Sequence, residues 1–414
     1  MNAFSWATLL ALMSSLTAQA WLARRQIKHV HHHRQQVPAS FAHSITLQAH
    51  QKAADYTCAR SKLHIAGLLL DTITVLLLTF GGGINLAARL GSSWFDNTLL
   101  AGMCTIALCL LASSCAGLPL SVYRTFVLER RFGFNRTTPA LFAADLLRSA
   151  LLGILIGAPV LAGALWLLAN GGPYFWLWTW LAWCGFVLLL SWAYPTLIAP
   201  HFNRFAPLQD SALESRIQAL LQRCGFTSKG LFVMDGSRRS AHGNAYFTGL
   251  GQNKRIVFFD TLLEQLDADE IEAVLAHELG HFHHGHIRTR LALTFASTLL
   301  FLAAFAALMY NADFHSGLNV SQGNAANSLL LFILCAPGFT FLLAPLGSLL
   351  SRQQEYQADD YAAANSSAGA LQSALLKLYR DNASTLTPDP LHSAFYDSHP
   401  PASLRIAHLQ GTTT

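Results

Sequence analysis

The sequence predicts a mainly α-helical, polytopic membrane protein with about seven transmembrane helices, and three observations predict it. Of its 414 residues 52% are hydrophobic and only 12% charged, with a mean hydropathy of +0.35, values that suit a chain solvated largely by lipid. Seven apolar stretches, at 3–22, 65–87, 99–122, 141–168, 174–198, 291–309 and 328–350, are each long enough to cross a bilayer. Basic residues gather in alternate connections. The polar segments that remain read as a cytoplasmic helical unit with a small β-sheet.

The first stretch has no positively charged start and is followed by Arg24 and Arg25, so it reads as a retained helix rather than a cleaved leader. Its flank (Arg24, Arg25, Lys28, Arg34), the loop with Arg124, Arg130, Arg131 and Arg136, and the segments after 198 and 350 are basic and should face the cytoplasm. The connection at 170–173 is uncharged, and 311–327 has Asp313 but neither Lys nor Arg. That pattern puts the N-terminus outside and the C-terminus inside. Trp176, Trp178 and Trp180 mark the outer end of the fifth helix as an interfacial belt. Asp71 and Asn85 fall in the second stretch and His64 immediately before it; polar groups are costly against lipid, so they should face other helices or a wet cavity. Terse loops and the lack of a visible endoplasmic-reticulum retrieval tail point to a bacterial inner membrane.

Seven cysteines, at 58, 104, 109, 115, 184, 224 and 335, show no CxxC spacing and imply neither a disulfide scaffold nor a thiolate metal site. The net charge of +5 is spread over the loops, without the basic face that a nucleic-acid partner needs. His29, His31, His32 and His33 read as a solvated loop. The weakest order is expected at 382–390 and 411–414.

The densest chemical signal is His277-Glu278-Leu279-Gly280-His281. At 3.6 residues per turn the two histidines stack on one helix face, near enough to bind a single zinc ion, with Glu278 beside them. A carboxylate there takes a proton from a zinc-activated water and hands it to the departing amine, so the pattern reads as a metallopeptidase centre. Asp267 with Glu270 suggests a capping box, and Ile271, Val274, Leu275 and Leu279 form an apolar stripe, which places the motif on a helix.

A hydrolytic zinc needs a third protein ligand and an open position. The segment Ser351-Arg352-Gln353-Gln354-Glu355-Tyr356-Gln357-Ala358-Asp359 supplies it. On a second helix Glu355 and Asp359 share a face, so Glu355 reaches the metal while Asp359 accepts a hydrogen bond from a ligand imidazole, that of His277. Arg352 lies on that face too. Alone, such a charged run is a solvated helix face; its pairing with the first motif makes it a ligand segment. Just after the first motif, His286 is a candidate contact behind the ligands, whereas His283 and His284 should face water or headgroups.

The stretches 245–248 and 255–259 read as two strands joined by a turn at Gly249-Leu250-Gly251. An edge strand there can take an extended peptide by main-chain hydrogen bonds; the competing reading is a hairpin that merely packs.

With Leu128-Glu129-Arg130-Arg131-Phe132-Gly133-Phe134-Asn135, Ile198-Ala199-Pro200-His201-Phe202-Asn203-Arg204-Phe205, Gly243-Asn244-Ala245-Tyr246-Phe247 and Ser398-His399-Pro400-Pro401 followed by Arg405, nearly the whole chain resembles a known family. It is that of the seven-helix membrane zinc peptidases of the CAAX prenyl protease type I, with the HtpX-like heat-shock membrane peptidases as shorter relatives. The resemblance implies a zincin-like catalytic unit with one catalytic zinc ion. It implies that Asn244, Ala245 and Tyr246 form the strand that grips the substrate backbone. It also implies that His399 and Arg405 face the zinc and stabilise the oxyanion, and that the helices enclose a chamber where a substrate's lipid can rest.

The chain divides into 1–199 (five membrane helices), 200–290 (first catalytic piece), 291–350 (two membrane helices) and 351–414 (second catalytic piece). The reading is a zinc endopeptidase at the bilayer surface with His277, His281 and Glu355 as ligands and Glu278 as general base and acid. Its partners are the bilayer and a peptide or protein substrate, with C-terminal cleavage of CAAX-type, often prenylated, peptides implied by the resemblance. The alternatives are a quality-control protease for membrane proteins and, in a different class, a zinc-binding transporter or scaffold without peptidase activity. An intact Glu278 speaks against the last, because zinc binding alone does not require it.

Overall fold

A computed structural model describes residues 1–228, 230–248, 255–321 and 324–411. The chain opens with α1 (Ala3–His32), α2 (Leu47–Leu78), α3 (Gly83–Trp94), α4 (Thr98–Tyr123), α5 (Pro139–Asn170) and α6 (Phe175–Ala193). It then forms a polar unit of β1 (Phe205–Pro207), α7 (Ser211–Arg223), β2 (Leu231–Met234), β3 (Ala245–Thr248), β4 (Arg255–Phe259), α8 (Asp260–Gln265) and α9 (Ala268–His283). The long α10 (His286–Met309), the short α11 (Ala312–Gly317) and α12 (Ala325–Thr340) lead into α13 (Ala344–Asn365). The chain ends with α14 (Ala368–Asp381), α15 (Pro390–Tyr396) and α16 (Ala402–Gly411).

Among the described residues seven helical stretches are long and apolar enough to cross a membrane, as the sequence predicts: Ala3–His32, Leu47–Leu78, Thr98–Glu129, Pro139–Asn170, Gly172–His201, His286–Met309 and Ala325–Asn365. Their outer faces stay apolar and unpacked, with Leu155 and Leu300 at 70% and 71% exposure, which only lipid tails solvate without cost.

Three expectations need correction. The predicted span at 65–87 is two helices, because the run Gly81-Gly82-Gly83 interrupts it and Gly82 adopts φ +77°, where a Cβ is penalised. Asn85 therefore starts a separate helix, and its side chain bonds the carbonyl of Asn319 and the amide of Ser321 at 2.7 and 2.8 Å. The histidines at 29, 31 and 32 continue α1 instead of forming a loop. The segment 382–390 is packed: Leu386 and Asp389 are each 3% exposed, and the Asp389 amide donates to Gln26 Oε1 at 2.6 Å.

The sheet has the order β1-β2-β4-β3, with β2 and β4 parallel and the outer pairs antiparallel. Ala245 faces Phe258 and Thr248 faces Arg255 across the β3–β4 ladder, so the two predicted strands pair as expected, and β3 is an edge among the described residues. The predicted turn at Gly249-Leu250-Gly251 lies outside the described residues. The core beneath the sheet joins Ile256 and Phe258 of β4, Ile217 and Leu220 of α7, Leu275 and Leu279 of α9, and Leu371 of α14.

The predicted capping box starts α9: the Glu270 amide donates to Asp267 Oδ1 at 3.0 Å, and the Asp267 amide donates to Glu270 Oε2 at 2.9 Å. Gly280 then lets α9 press against α13, since a Cβ there would stand 2.9 Å from the Ala358 Cα. That close crossing brings the two predicted ligand segments together.

Candidate metal centre and substrate edge

α9 and α13 each contribute one face. Among the described residues one set of three candidate ligands converges, His277, His281 and Glu355, with ligand atoms all within 4.8 Å of one another. His277 Nε2 lies 3.5 Å from Glu355 Oε2, and His281 Nε2 lies 3.4 Å from Glu355 Oε1. Glu355 Oε2 is buried and, among the described residues, has no donor within hydrogen-bond distance, a costly state for a carboxylate oxygen and one that a cation relieves. Two imidazoles and a carboxylate, with one side open, are the donor set that suits a catalytic zinc.

The two histidines are braced differently. His277 Nδ1 stands 2.8 Å from Asp359 Oδ1, and Asp359 in turn accepts from Arg405 Nε at 2.8 Å. Burial opposes a charge on His277, but the Asp359 and Glu355 carboxylates outweigh it and raise its pKa to about 9; a metal entering the cluster therefore displaces a proton. His281 Nδ1 meets His286 Nδ1 at 2.9 Å, and His286 Nε2 meets Gln357 Oε1 at 2.9 Å. With Gln357 accepting, His286 carries its proton on Nε2 and offers Nδ1 as acceptor to the His281 N–H. That pairing leaves His281 Nε2 free for the cluster.

Glu278 makes no side-chain hydrogen bond among the described residues, and burial raises its pKa, which suits a group that must both take and give a proton near neutrality. His399 is 60% exposed, with Nε2 3.4 Å from Glu355 Oε1. The Ser398 hydroxyl lies 3.0 Å from its Nδ1, so a hydroxyl donating there leaves Nε2–H as a donor at the site. Arg405 differs from its expected companion: its side chain is 6% exposed, two of its nitrogens serve Asp359, and Nη1 reaches Glu355 Oε2 at 3.6 Å. It stands behind the ligands, whereas His399 stands in front.

Arg352 is brought elsewhere than the shared face suggested. Its guanidinium donates to the carbonyls of Ser393 and Asp397 and so anchors α15 and the turn that leads to His399. Asn244 is exposed at the head of β3, and its carbonyl accepts from the Phe259 amide at 2.9 Å. Its side-chain oxygen accepts from the Ala245 amide at 2.9 Å, while the Tyr246 hydroxyl turns to Met234 Sδ at 3.9 Å. His283 and His284 are exposed. Gln357 and Ser398 lie inside segments that the sequence singles out, but their roles were not legible: Gln357 sits two residues from Glu355, a spacing that puts it on another flank of the helix, and a serine beside a histidine does not by itself show that the two side chains meet.

Comparisons with known proteins place the chain in a family. Residues 26–204 match the model of the CAAX prenyl protease N-terminal region, five membrane helices, and residues 207–413 match that of peptidase family M48. CAAX prenyl protease 1 of Saccharomyces cerevisiae is 38% identical over 76% of this chain and 73% of its own length. The CAAX prenyl protease 1 homologs of rice and human are 34% and 30% identical, over 90% and 96% of this chain and 90% and 94% of their own. The crystal structure of S. mikatae Ste24p superposes with a TM-score of 0.91 at 30% identity, covering 99% of both chains. The chain is an integral membrane protein that belongs to peptidase family M48 and resembles the CAAX prenyl proteases along nearly its whole length.

Proposed function

We propose that the chain is a zinc-dependent endopeptidase in which His277, His281 and Glu355 hold one zinc ion and Glu278 is the general base and acid. The observation that carries this reading is the convergence of those three ligands beside a Glu278 carboxylate that no side-chain hydrogen bond restrains among the described residues. Zinc bound there supplies a Lewis acid that makes water nucleophilic near neutral pH and polarises the scissile carbonyl. Glu278 takes one proton from the attacking water and delivers it to the leaving nitrogen, so the water's OH ends on the new carboxyl group and its proton on the new amine. His399, with its Nε2–H facing the open side, donates to the oxyanion. Arg405 holds Asp359, which orients His277, and its Nη1 neutralises part of the Glu355 charge. The edge strand at Asn244, Ala245 and Tyr246 takes the substrate backbone by β-augmentation.

The division at 199, 290 and 350 belongs to the same proposal, as does a topology with the N-terminus outside and both catalytic pieces in the cytoplasm, supported by the basic loops. The relatives reported above come from plants, fungi and animals and lend no support to a bacterial membrane. Their names point to CAAX-type peptides, prenylated at the cysteine, as the substrate class. The test is cleavage by the detergent-purified protein of one quenched CAAX-type peptide with and without a farnesyl group. Preference for the lipidated peptide supports prenyl-protein processing; equal cleavage supports quality control; no cleavage of either returns the scaffold reading.

A further inference from the structure

We propose that Arg239 is a positioning residue that fastens the substrate-binding edge strand to membrane helix α5, and thereby holds that strand ready to pair with a peptide. The proposal rests on the assignment of β3 as the peptide-binding strand.

Hydrolysis leaves two of the sequence motifs without a task, the segments 128–135 and 198–205. Both meet at Arg239, on the connection between β2 and β3. Its Nε and Nη2 donate to the two carboxylate oxygens of Asp145, in the second turn of α5, at 2.8 and 3.0 Å. Its Nη1 donates to Asn203 Oδ1 at 2.9 Å. Arg239 and Asp145 are each 23% exposed, so the pair is shielded enough for a bidentate fork to specify geometry.

The backbone is tied at the same place. Asn135 and Ser240 form an antiparallel bridge, with the Arg136 amide donating to the Arg239 carbonyl at 3.2 Å and the Ala241 amide to the Phe134 carbonyl at 3.3 Å. His242 stacks on Phe134 at 4.4 Å, and its Nδ1 meets Asn382 Oδ1 at 3.0 Å. Two residues later Asn244 opens β3. The edge strand thus enters its ladder from a mount built on the membrane half, whereas the metal ligands are braced separately by the α9–α13 crossing.

Loss of the mount loosens the strand that a bound peptide pairs with while leaving the metal in place, so binding weakens and the chemical step does not. A lysine cannot repair it, because a single ammonium does not reproduce a planar fork with a third donor. The experiment uses the purified full-length protein and a quenched peptide, with zinc content, Tm, KM and kcat measured for wild type, Arg239→Ala, Arg239→Lys and Asn244→Ala. Arg239→Ala should raise KM about tenfold, with zinc content kept and kcat within about twofold, and Arg239→Lys should recover less than half of that loss. Asn203→Ala, which keeps the ion pair, should raise KM by about threefold and is the deciding variant if Arg239→Ala lowers Tm. An unchanged KM in both the Arg239 and the Asn203 variants overturns the proposal. If Asn244→Ala alone raises KM the error lies in Arg239; if it too is silent, the strand assignment itself has failed.

Discussion

The two walls of the site are built on opposite principles. On the metal wall, the side chains of His277, Glu355, Asp359 and Arg405 are 9%, 3%, 0% and 6% exposed and are charge-paired with one another. On the substrate wall His399 is 60% exposed and Asn244 stands open at the head of an edge strand. Buried charge is costly unless its partners are in place before the ligand arrives, so the metal wall is pre-organised by protein–protein pairs. The proposed substrate wall keeps its donors open, as pairing with a peptide main chain would require. Within the metal wall the same contrast recurs on a smaller scale, since His277 leans on an ion pair and His281 on the neutral His286–Gln357 chain.

The comparison predicts a graded set of losses. Glu278→Gln touches neither brace, so it should keep its zinc while losing cleavage by a factor on the order of 10²–10⁴, the usual worth of a positioned proton-transfer group; metal analysis beside a turnover assay checks both halves. Asp359→Asn leaves Arg405 buried without its counter-charge and should weaken zinc binding by about 10- to 100-fold, read from competition with a chromogenic chelator. His286→Asn, on the neutral side, should cost less than about tenfold in the same titration. Equal losses for the two would remove the distinction between the braces.

The smallest effect concerns acid. Burial would raise the Asp389 pKa, but hydrogen bonds from Arg25 and from the His392 amide more than offset it, so the folded value lies below the ordinary 3.8. A depressed carboxyl contributes stability above its unfolded pKa and loses it as pH falls through the folded one. Asp389 caps α15, whose far end carries the turn to His399. Between neutrality and about pH 5 this contact should therefore be silent, and below pH 4 wild type should lose Tm faster than Asp389→Asn. Parallel Tm curves would refute the assignment.

Much of this was legible in the sequence, for identifiable reasons. His277 with His281, and Glu355 with Asp359, repeat at a helical spacing that fixes a face without any knowledge of the fold. β3 and β4 announced themselves as short β-branched and aromatic runs on either side of a glycine turn. What stayed hidden lies across chain separations that local periodicity does not span: Gln357 meets His286 71 residues away, and Arg239 meets Asp145 94 residues away. β1 and β2 pair with each other across the whole of α7, so no local turn marks them as a hairpin. The break at Gly81-Gly82-Gly83 was visible as composition, yet hydropathy carried the predicted span across it. Arg405 was placed by resemblance, and only its burial reveals that it stands behind the ligands.

The most direct test of the central claim is to strip the purified protein of metal with a chelator and then restore zinc by stoichiometric addition while following peptide cleavage. The account predicts loss of cleavage with the metal and recovery at one zinc per chain, with no recovery in Glu355→Ala. Undiminished cleavage by protein shown to be free of metal would contradict it.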